Sequence, residues 1–453
     1  MTEKIAASSA ASRRATHVRV LRLAGPIVLS NLSIPLLGAV DTAVMGHLPD
    51  PAYIGGVAIG SIIFTYVYWS FGFLRMGTTG FTAQALGAGD ADELRAVLAR
   101  GFALAAVLGS LVIALQVPIG WLAFAAIEAS GKVETLAHTY YGIRVWGAPA
   151  ALANYVVLGW LLGMQRPGAA VVLTVFMNAL NIALSLYFVV GLGWTIDGVA
   201  FGTLIAEWSS AGLGILLIMR PLKKVGGAWR PALIAHRGRI VRMMRVNFDI
   251  FIRTLCLVTA FAWLTARGAT MGDVILAGNA VLLNFQLFTG YGLDGFAHAA
   301  EALVGSAVGK RNRRALRDVV VISTQWALFV AGGFALVYLL AGQSIIALLT
   351  SISDVQVTAA RFLPWIVISP LVSVWSFQLD GIFIGATRGA EMRNGMIASL
   401  VIFIVAEQLL TEAMGNHGLW LAFTIFMAAR GITLAMFYPR IERALAEPAD
   451  AAR

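Results

Sequence analysis

Segments of about twenty apolar residues recur from one end of this chain to the other, and they limit the folds that it can adopt. Each is long enough to cross the ~30 Å hydrocarbon core of a bilayer as an α-helix. None alternates apolar and polar residues at period two, which favours helices over a membrane barrel. Twelve such segments are predicted, at about 24–47, 54–78, 97–124, 138–163, 168–190, 196–220, 244–268, 274–306, 318–341, 358–386, 394–414 and 417–440. The sequence therefore predicts an all-α polytopic membrane protein.

The chain also contains an internal repeat of about half its length. The segment GAGDADELR at 87–95 is similar to GKRNRRALR at 309–317, with an offset of 222 residues. With six spans each, both halves enter the membrane in the same orientation, and their pseudo-symmetry axis runs along the membrane normal. Duplicated membrane proteins of this kind are typically secondary transporters. The predicted organisation is a cytoplasmic tail at 1–23, an N-lobe with helices 1–6 at 24–220, a basic cytoplasmic linker at 221–243, a C-lobe with helices 7–12 at 244–440 and a tail at 441–453.

The charge distribution argues against other classes of function. Charged residues make up only 12% of the chain, although the formal net charge is +10. Most Lys and Arg lie in the tails and in alternate loops, which predicts an inner (plasma) membrane protein with both termini in the cytoplasm and no nucleic-acid partner. The single cysteine, Cys256, lies inside a predicted span and offers no disulfide or metal cluster. No cofactor is expected. We expect no enzyme either, because a catalytic constellation is not evident among the six histidines.

Polar residues inside the N-lobe spans are the first candidates for function. Asp41 lies in the first span with no cation within one turn. A charge in mid-membrane costs at least ~2.5–3.5 kcal/mol, so such a group usually has a partner or a role. Asp41 could exchange protons, hold Na⁺ with neighbouring oxygens, or bond helix backbones.

Two further spans of the N-lobe carry polar residues on one face. Asn178, Asn181 and Ser185 share a face of the fifth span, and Thr203 and Glu207 share a face of the sixth. These residues suit a network around a carboxylate, or simple bonding between helices.

The eighth span has the most polar face of any predicted span. Tyr291, Asp294, His298 and Glu301 follow at spacings of three, four and three, and so form one stripe along a helix. The stripe could relay protons, line a ligand site, or fix the lobe through a structural network. All three interpretations stay open at the level of the sequence.

Other charged residues in the spans are predicted to have structural roles. Asp249 and Arg253 lie four residues apart in the seventh span and are predicted to pair with each other. Four arginines are predicted to lie closer to the ends of their spans, where their charged groups can extend toward water: Arg75, Arg144, Arg361 and Arg430.

Several segments resemble the multidrug and toxic compound extrusion (MATE) family. The string LTARGATMGDVILAGNAVLLNFQLFTGYGLDGFAHAAEALVGSAVG at 264–309 is similar to the seventh-to-eighth-span region of that family, and its LDGFAxAxE core points to the DinF branch. The segments at 24–48, 78–90 and 380–389 strengthen the resemblance. It implies two six-helix bundles in a V shape around a cavity. It also implies export of organic, often cationic or amphipathic, compounds in exchange for H⁺ or Na⁺ by alternating access, with small organic molecules and membrane lipid as the partners. We expect a monomer.

The resemblance also assigns roles to residues of the N-lobe. It implies that Asp41 is the ion-coupling aspartate, with Na⁺ as a possible alternative to H⁺, and that Pro26 is the point at which the first helix bends. It implies that the N-lobe network consists of Asn178, Asn181, Ser185 and Thr203.

This chain departs from the family pattern at one position, because Ser185 occupies the place of the family's second carboxylate. Coupling then rests on Asp41 alone, moves to Glu207, or moves to the stripe formed by Asp294, His298 and Glu301. The alternative functions are a lipid-linked precursor flippase and a narrow-specificity metabolite exporter of the same superfamily. A flippase for an anionic lipid would need cationic side chains in its cavity, whereas the polar residues deep in the predicted spans are mostly acids and amides.

Overall fold

The computed structural model describes residues 2–31, 50, 52–125 and 130–446, with side chains from residue 13 onward. Asp41 and most of the first predicted span lie outside the described residues. Within them the chain forms sixteen α-helices, with a 3-10 turn at Val145–Gly147 and a π-helical turn at Tyr187–Gly191. The helices are α1 (Thr2–Asn31), α2 (Ala52–Ser70), α3 (Phe73–Ala88), α4 (Ala91–Ala114), α5 (Gln116–Ala125), α6 (Gly131–Arg144), α7 (Ala148–Gly163), α8 (Pro167–Leu186), α9 (Ile196–Val225), α10 (Pro231–Ile234), α11 (Arg237–Ala269), α12 (Asp273–Gly309), α13 (Arg313–Leu349), α14 (Ser353–Gly385), α15 (Gly389–Met414) and α16 (Asn416–Ala444).

Most of these helices have the length and composition of membrane spans. Among the described residues, eleven helical segments are long and apolar enough to cross a bilayer, including α2 with α3 and α6 with α7 as joint segments. Helix α13 leaves Leu339, Leu340 and Leu348 between 66% and 86% exposed. Bare apolar side chains of this kind suit contact with lipid, whereas a water-soluble monomer rarely exposes them in large patches. The prediction of an all-α polytopic membrane protein is confirmed.

The internal repeat is visible in the backbone. Helix α3 is followed directly by Gly89, which has a φ of 71°, and α12 is followed by Lys310 and then Arg311, which has a φ of 51°. The next residue caps the following helix in both halves: Asp90 accepts from a backbone N–H at 2.9 Å, and Asn312 does the same at 2.9 Å. Each pair is 222 residues apart. The sequence similarity therefore marks a shared turn between two helices, in which a left-handed residue precedes an N-cap.

Close helix packing repeats at the same offset. A Cβ at Gly159 of α7 would overlap the carbonyl oxygen of Arg75 in α3, and one at Gly381 of α14 would overlap that of Ala297 in α12. Gly163 and Gly385 lie one turn further along, and they contact the same partner helices in the same way. Because small residues let membrane helices approach closely, the pairs α3–α7 and α12–α14 form equivalent contacts in the two halves.

The contacts divide the chain into two compact units. The N-terminal unit comprises residues 29–243, and the C-terminal unit comprises residues 1–28 together with 244–453. Residues 24–28 belong by these contacts to the C-terminal unit. The predicted division into two lobes, a linker and two tails stays a prediction. In the structure Val28 and the carbonyl oxygen of Ala24 lie against Gly295 of α12, which has no side chain to keep α1 away. Helix α1 also extends through residues that were predicted to form a tail.

Each unit has an apolar core of its own. In the N-terminal unit, Phe64, Tyr140 and Val199 are almost completely buried in one cluster. In the C-terminal unit, Phe403 and Phe426 belong to a larger aromatic cluster. These cores hold the helices that carry the polar residues discussed below.

Candidate functional site

Three residues of the predicted N-lobe network are bonded to one another where α8 meets α9. The side-chain nitrogen of Asn181 donates to the hydroxyl of Thr203 at 2.8 Å, and the hydroxyl of Ser185 donates to the side-chain oxygen of Asn181 at 3.4 Å. Thr203 in turn donates to the backbone of its own helix at 3.0 Å. Ser185 is completely buried, and Gly202 of α9 lies directly against it. The side chain at position 185 therefore supports Asn181, and beyond Asn181 lies an open space that it helps to line.

That space is a cavity of about 370 Å³ in the N-terminal unit. It brings together four residues of the predicted site, Asn178, Asn181, Thr203 and Glu207, and it is also lined by Arg144. The remaining walls are largely aromatic, contributed mainly by α2, α6 and α7. A concave site with apolar walls and a few convergent polar groups is typical of small-molecule binding.

The carboxylate in this cavity already has a counter-ion. Nη2 of Arg144 donates to Oε1 of Glu207 at 2.6 Å, and both side chains are buried. The prediction that Arg144 extends toward water is therefore wrong, because the aromatic cluster and Glu207 hold it inside the unit. Asn154 also holds the backbone of Glu207, because its side-chain nitrogen donates to the backbone carbonyl of Glu207 at 3.0 Å. A possible signal in the sequence was a lone cation in one span and a lone acid in another.

Three aromatic rings surround the guanidinium of Arg144. Its central carbon lies 4.8 Å from the ring centre of Phe64, 5.7 Å from that of Tyr140 and 6.0 Å from that of Tyr68. Nη1 of Arg144 also donates to the hydroxyl of Tyr140 at 3.2 Å. Cations are attracted to the faces of such rings, most strongly where water is excluded. The arrangement is an aromatic box closed on one side by a carboxylate.

Gly147 leaves room for one oxygen of the Glu207 carboxylate. A Cβ at Gly147 would overlap Oε2 of Glu207. That oxygen and the hydroxyl of Tyr68 are both buried and have no hydrogen-bond partner among the described residues. Glu207 and Tyr68 also line a second, smaller cavity of about 130 Å³. The wall between the two cavities thus contains polar atoms that remain able to bond.

The eighth-span stripe lies in the C-terminal unit, on α12. Glu301 is completely buried, whereas Tyr291, Asp294 and His298 are half-buried. Asp294 interacts electrostatically with Tyr291 and with Arg430 of α16. The stripe and the N-lobe network therefore belong to different units, and each is described by itself.

Ion pairs in the C-terminal unit correct two predictions. Asp249 and Arg253 do not pair with each other: Arg393 of α15 donates to Asp249 at 2.5 Å, and Arg253 donates to Asp380 of α14. Asp380 also accepts from Nη2 of Arg430 at 2.8 Å, so Arg430 is buried and does not extend toward water. The physical reason is shared, because a buried charge takes a partner from any helix that packs against it.

Two residues of the predicted site belong to the first predicted span. Pro26 is half-buried inside α1, and that helix continues to Asn31. Asp41 lies outside the described residues. The roles assigned to these two residues by the resemblance stay predictions.

Comparisons with known proteins agree with the sequence segments described above. The MatE family model matches residues 26–187 and 250–410, more than half of the chain and one match in each half of the repeat. DNA damage-inducible protein F of Escherichia coli (strain K12) is 45% identical over 419 residues, which cover 92% of this chain and 91% of that protein. The probable multidrug resistance protein NorM of Caulobacter vibrioides is 25% identical over 428 residues, covering 92% and 88%.

Solved structures show the same fold. An outward-facing multidrug resistance MATE family transporter of the MOP superfamily has a TM-score of 0.86 at 20% identity, covering 96% of this chain and 97% of that one. A MOP superfamily transporter from Pyrococcus furiosus has a TM-score of 0.84 at 19% identity, with coverage of 96% and 97%. At these identities the likeness establishes the fold.

Proposed function

The chain belongs to the MatE family of membrane transporters, as its sequence predicts, and we propose that it exports organic cations in exchange for H⁺ or Na⁺. The two lobes would alternate access to the two sides of the inner membrane, with both termini in the cytoplasm. The positive-inside pattern of the loops supports that orientation.

The observation that carries this proposal is the cavity of the N-terminal unit. It combines aromatic walls, the amides of Asn178 and Asn181, and the carboxylate of Glu207. Aromatic faces attract organic cations, and a small number of polar groups fix their orientation. Its volume of about 370 Å³ is near the lower end of the range for small-molecule sites, roughly 300–1,000 Å³.

The ion pairs narrow the choice of coupling residue. Glu207 and Asp380 are both buried and both accept from arginine. Protonating either would leave a buried guanidinium without its counter-charge, a change that costs several kcal/mol. We therefore assign ion coupling to Asp41, with the stripe of α12 as the alternative position.

The test is transport by the full-length protein in liposomes loaded with ethidium, a fluorescent organic cation. An H⁺ gradient and a Na⁺ gradient are imposed separately on the wild type and on Asp41→Asn. We expect flux with one of the two gradients, and we expect its loss in the variant.

Asp50→Asn is the matched control, because it makes the same chemical change outside the spans. Lys132 and the backbone N–H of Ala52 hold the pKa of Asp50 below its usual value, so it stays ionised near neutral pH. Flux should be unchanged in this control. Ion-driven flux that survives Asp41→Asn would refute coupling at Asp41, and its loss in Asp294→Asn would place coupling on α12. Absence of flux for any organic cation would favour a narrow metabolite or a lipid-linked precursor as the substrate.

A further inference from the structure

The chain itself holds a positive charge inside the cavity of the N-terminal unit. The guanidinium of Arg144 is bonded to Glu207 at 2.6 Å and lies against the rings of Phe64, Tyr68 and Tyr140. Aromatic rings around a carboxylate are the arrangement by which proteins bind organic cations. The site is therefore built for a cation, and a side chain of the protein occupies it.

Two polar atoms beside the guanidinium can still form hydrogen bonds. Oε2 of Glu207 and the hydroxyl of Tyr68 are buried, lack a hydrogen-bond partner among the described residues, and belong to residues that line the cavity. Burying a polar atom without a partner costs free energy. A ligand in the cavity that bonds to these atoms would recover that cost, so they point to a site that a ligand completes.

We propose that Arg144 is a tethered competitor for organic cations. In this proposal the cation-binding site consists of Glu207 and the rings of Phe64, Tyr68 and Tyr140, and a substrate cation occupies it by displacing the guanidinium from the carboxylate. The inference rests on the proposed function, because it takes organic cations as the substrates. It adds the residues that bind them and the residue that limits their affinity.

Competition follows from the charges in a small desolvated space. Two cations cannot both neutralise one carboxylate, and like charges repel strongly where water is excluded. Binding of a substrate must therefore separate the Arg144–Glu207 pair, and the free energy of that pair is subtracted from the affinity. Weak binding is useful to an exporter, because the same pair re-forms when the substrate leaves and thereby favours release.

The test measures the equilibrium binding of ethidium to the purified full-length protein in detergent, by fluorescence anisotropy. Arg144→Gln keeps a polar side chain but removes the competing charge. We expect ethidium to bind this variant at least about tenfold more tightly than the wild type, because a desolvated cation–π site is worth more than one tenfold step in affinity. Arg144→Gln combined with Glu207→Gln should lose the gain, since the carboxylate is then absent.

Arg267→Gln is the matched control in the C-terminal unit. Arg267 donates to the completely buried Glu407 at 2.6 Å, so this change also removes the arginine from a buried carboxylate, but outside the cavity. Ethidium affinity should not change in this control. Equal or weaker ethidium binding by a folded Arg144→Gln variant, or an equal gain in the control, would overturn the proposal.

Gly147→Ala decides the question if Arg144→Gln does not fold. It keeps both charges and forces the carboxylate of Glu207 to shift, because the new Cβ would overlap Oε2, and the shift should weaken the bond between Oε1 and Arg144. Ethidium should bind this variant more tightly than the wild type, and an unchanged affinity would refute the competition. In Arg144→Ala, added ethylguanidinium should compete with ethidium for the vacated box, which a merely structural arginine would not predict.

The two proposals can fail separately. Ethidium export by the wild type with unchanged binding in Arg144→Gln and Gly147→Ala would refute the competitor and leave the transport function intact. Tight ethidium binding by Arg144→Gln without any ethidium export by the wild type would support the competitor and refute organic-cation export. Neither export nor binding in any variant would refute both.

Discussion

Asp380 neutralises two buried arginines in the C-terminal unit, and its removal should be the most destabilising single change among the ion pairs. It accepts from Nη2 of Arg430 at 2.8 Å and also from Nη2 of Arg253. Both arginines are buried, with 2% and 6% of their surface exposed. Asp380→Asn keeps the size and shape of the side chain, so its effect reports on charge.

The expected loss follows from this burial. Removing one partner of a buried pair costs about 3–5 kcal/mol, because the remaining charge is neither paired nor solvated. Here two like charges remain on one site, so the free energy of unfolding should fall by at least that amount, with a thermal midpoint lower by about 10 °C. Asp249→Asn is the matched control: its partner Arg393 is 33% exposed and can be hydrated. The loss should therefore be smaller than for Asp380→Asn, because the cation that remains can be hydrated although Asp249 itself is buried.

The single cysteine provides the assay. Cys256 lies on α11, three residues after Arg253, and is half-buried. A thiol-reactive fluorogenic dye should therefore report the thermal unfolding of the C-terminal unit at one site. We expect a large downward shift for Asp380→Asn and a small one for Asp249→Asn. Equal shifts would refute the argument that burial of the partners sets the cost.

Three further predictions concern backbone features of the repeat, and thermal unfolding followed by far-ultraviolet circular dichroism tests each of them. Gly381→Ala should lower stability by about 1–3 kcal/mol, because its Cβ would overlap a carbonyl of α12. Gly332→Ala is the control, because the space around Gly332 is open and no loss is expected. Equal losses in the two variants would contradict the packing argument. Asp90→Ala and Asn312→Ala should each cost about 1 kcal/mol through loss of an N-cap, and a neutral result at either position would show that its capping bond contributes little. Gln165→Gly should raise stability by up to about 1 kcal/mol, because Gln165 has a φ of 56°, and a loss would show that its side chain outweighs the strain.

The fold could be predicted from the sequence because its signals are local. Apolar segments of span length mark the helices. The repeat is recognisable because the backbone geometry requires particular residue types at particular positions. Asp90 and Asn312 are similar residues because both cap a helix after a left-handed residue. Gly159 and Gly381 are both glycine because a neighbouring backbone passes too close for a Cβ. Capping and close packing each restrict the residue type at a single position, so a single sequence is enough to reveal them.

The partners of buried charges could not be predicted in the same way. Spacing along a helix suggested that Asp249 pairs with Arg253, yet each takes its partner from another helix. Arg144 was expected to extend toward water, and it lies instead in an aromatic box formed by α2 and α6. Helix packing decides these contacts, and a helical pattern does not show which face meets which neighbour. The same limit applies to Glu207, because a lone acid in one span and a lone cation in another do not by themselves show that the two meet.

Ser185 and Arg144 both make the cavity less negative. A serine replaces a carboxylate that the resemblance implies, and an arginine neutralises Glu207. The described part of this cavity therefore has no excess negative charge with which to attract a cation. Separating the Arg144–Glu207 pair would free one such charge. The resemblance predicts Asp41 as the other source. Combining Asp41→Asn with Arg144→Gln distinguishes the two sources: ethidium binding that survives would show that Glu207 holds the cation, and binding that is lost would show that Asp41 does.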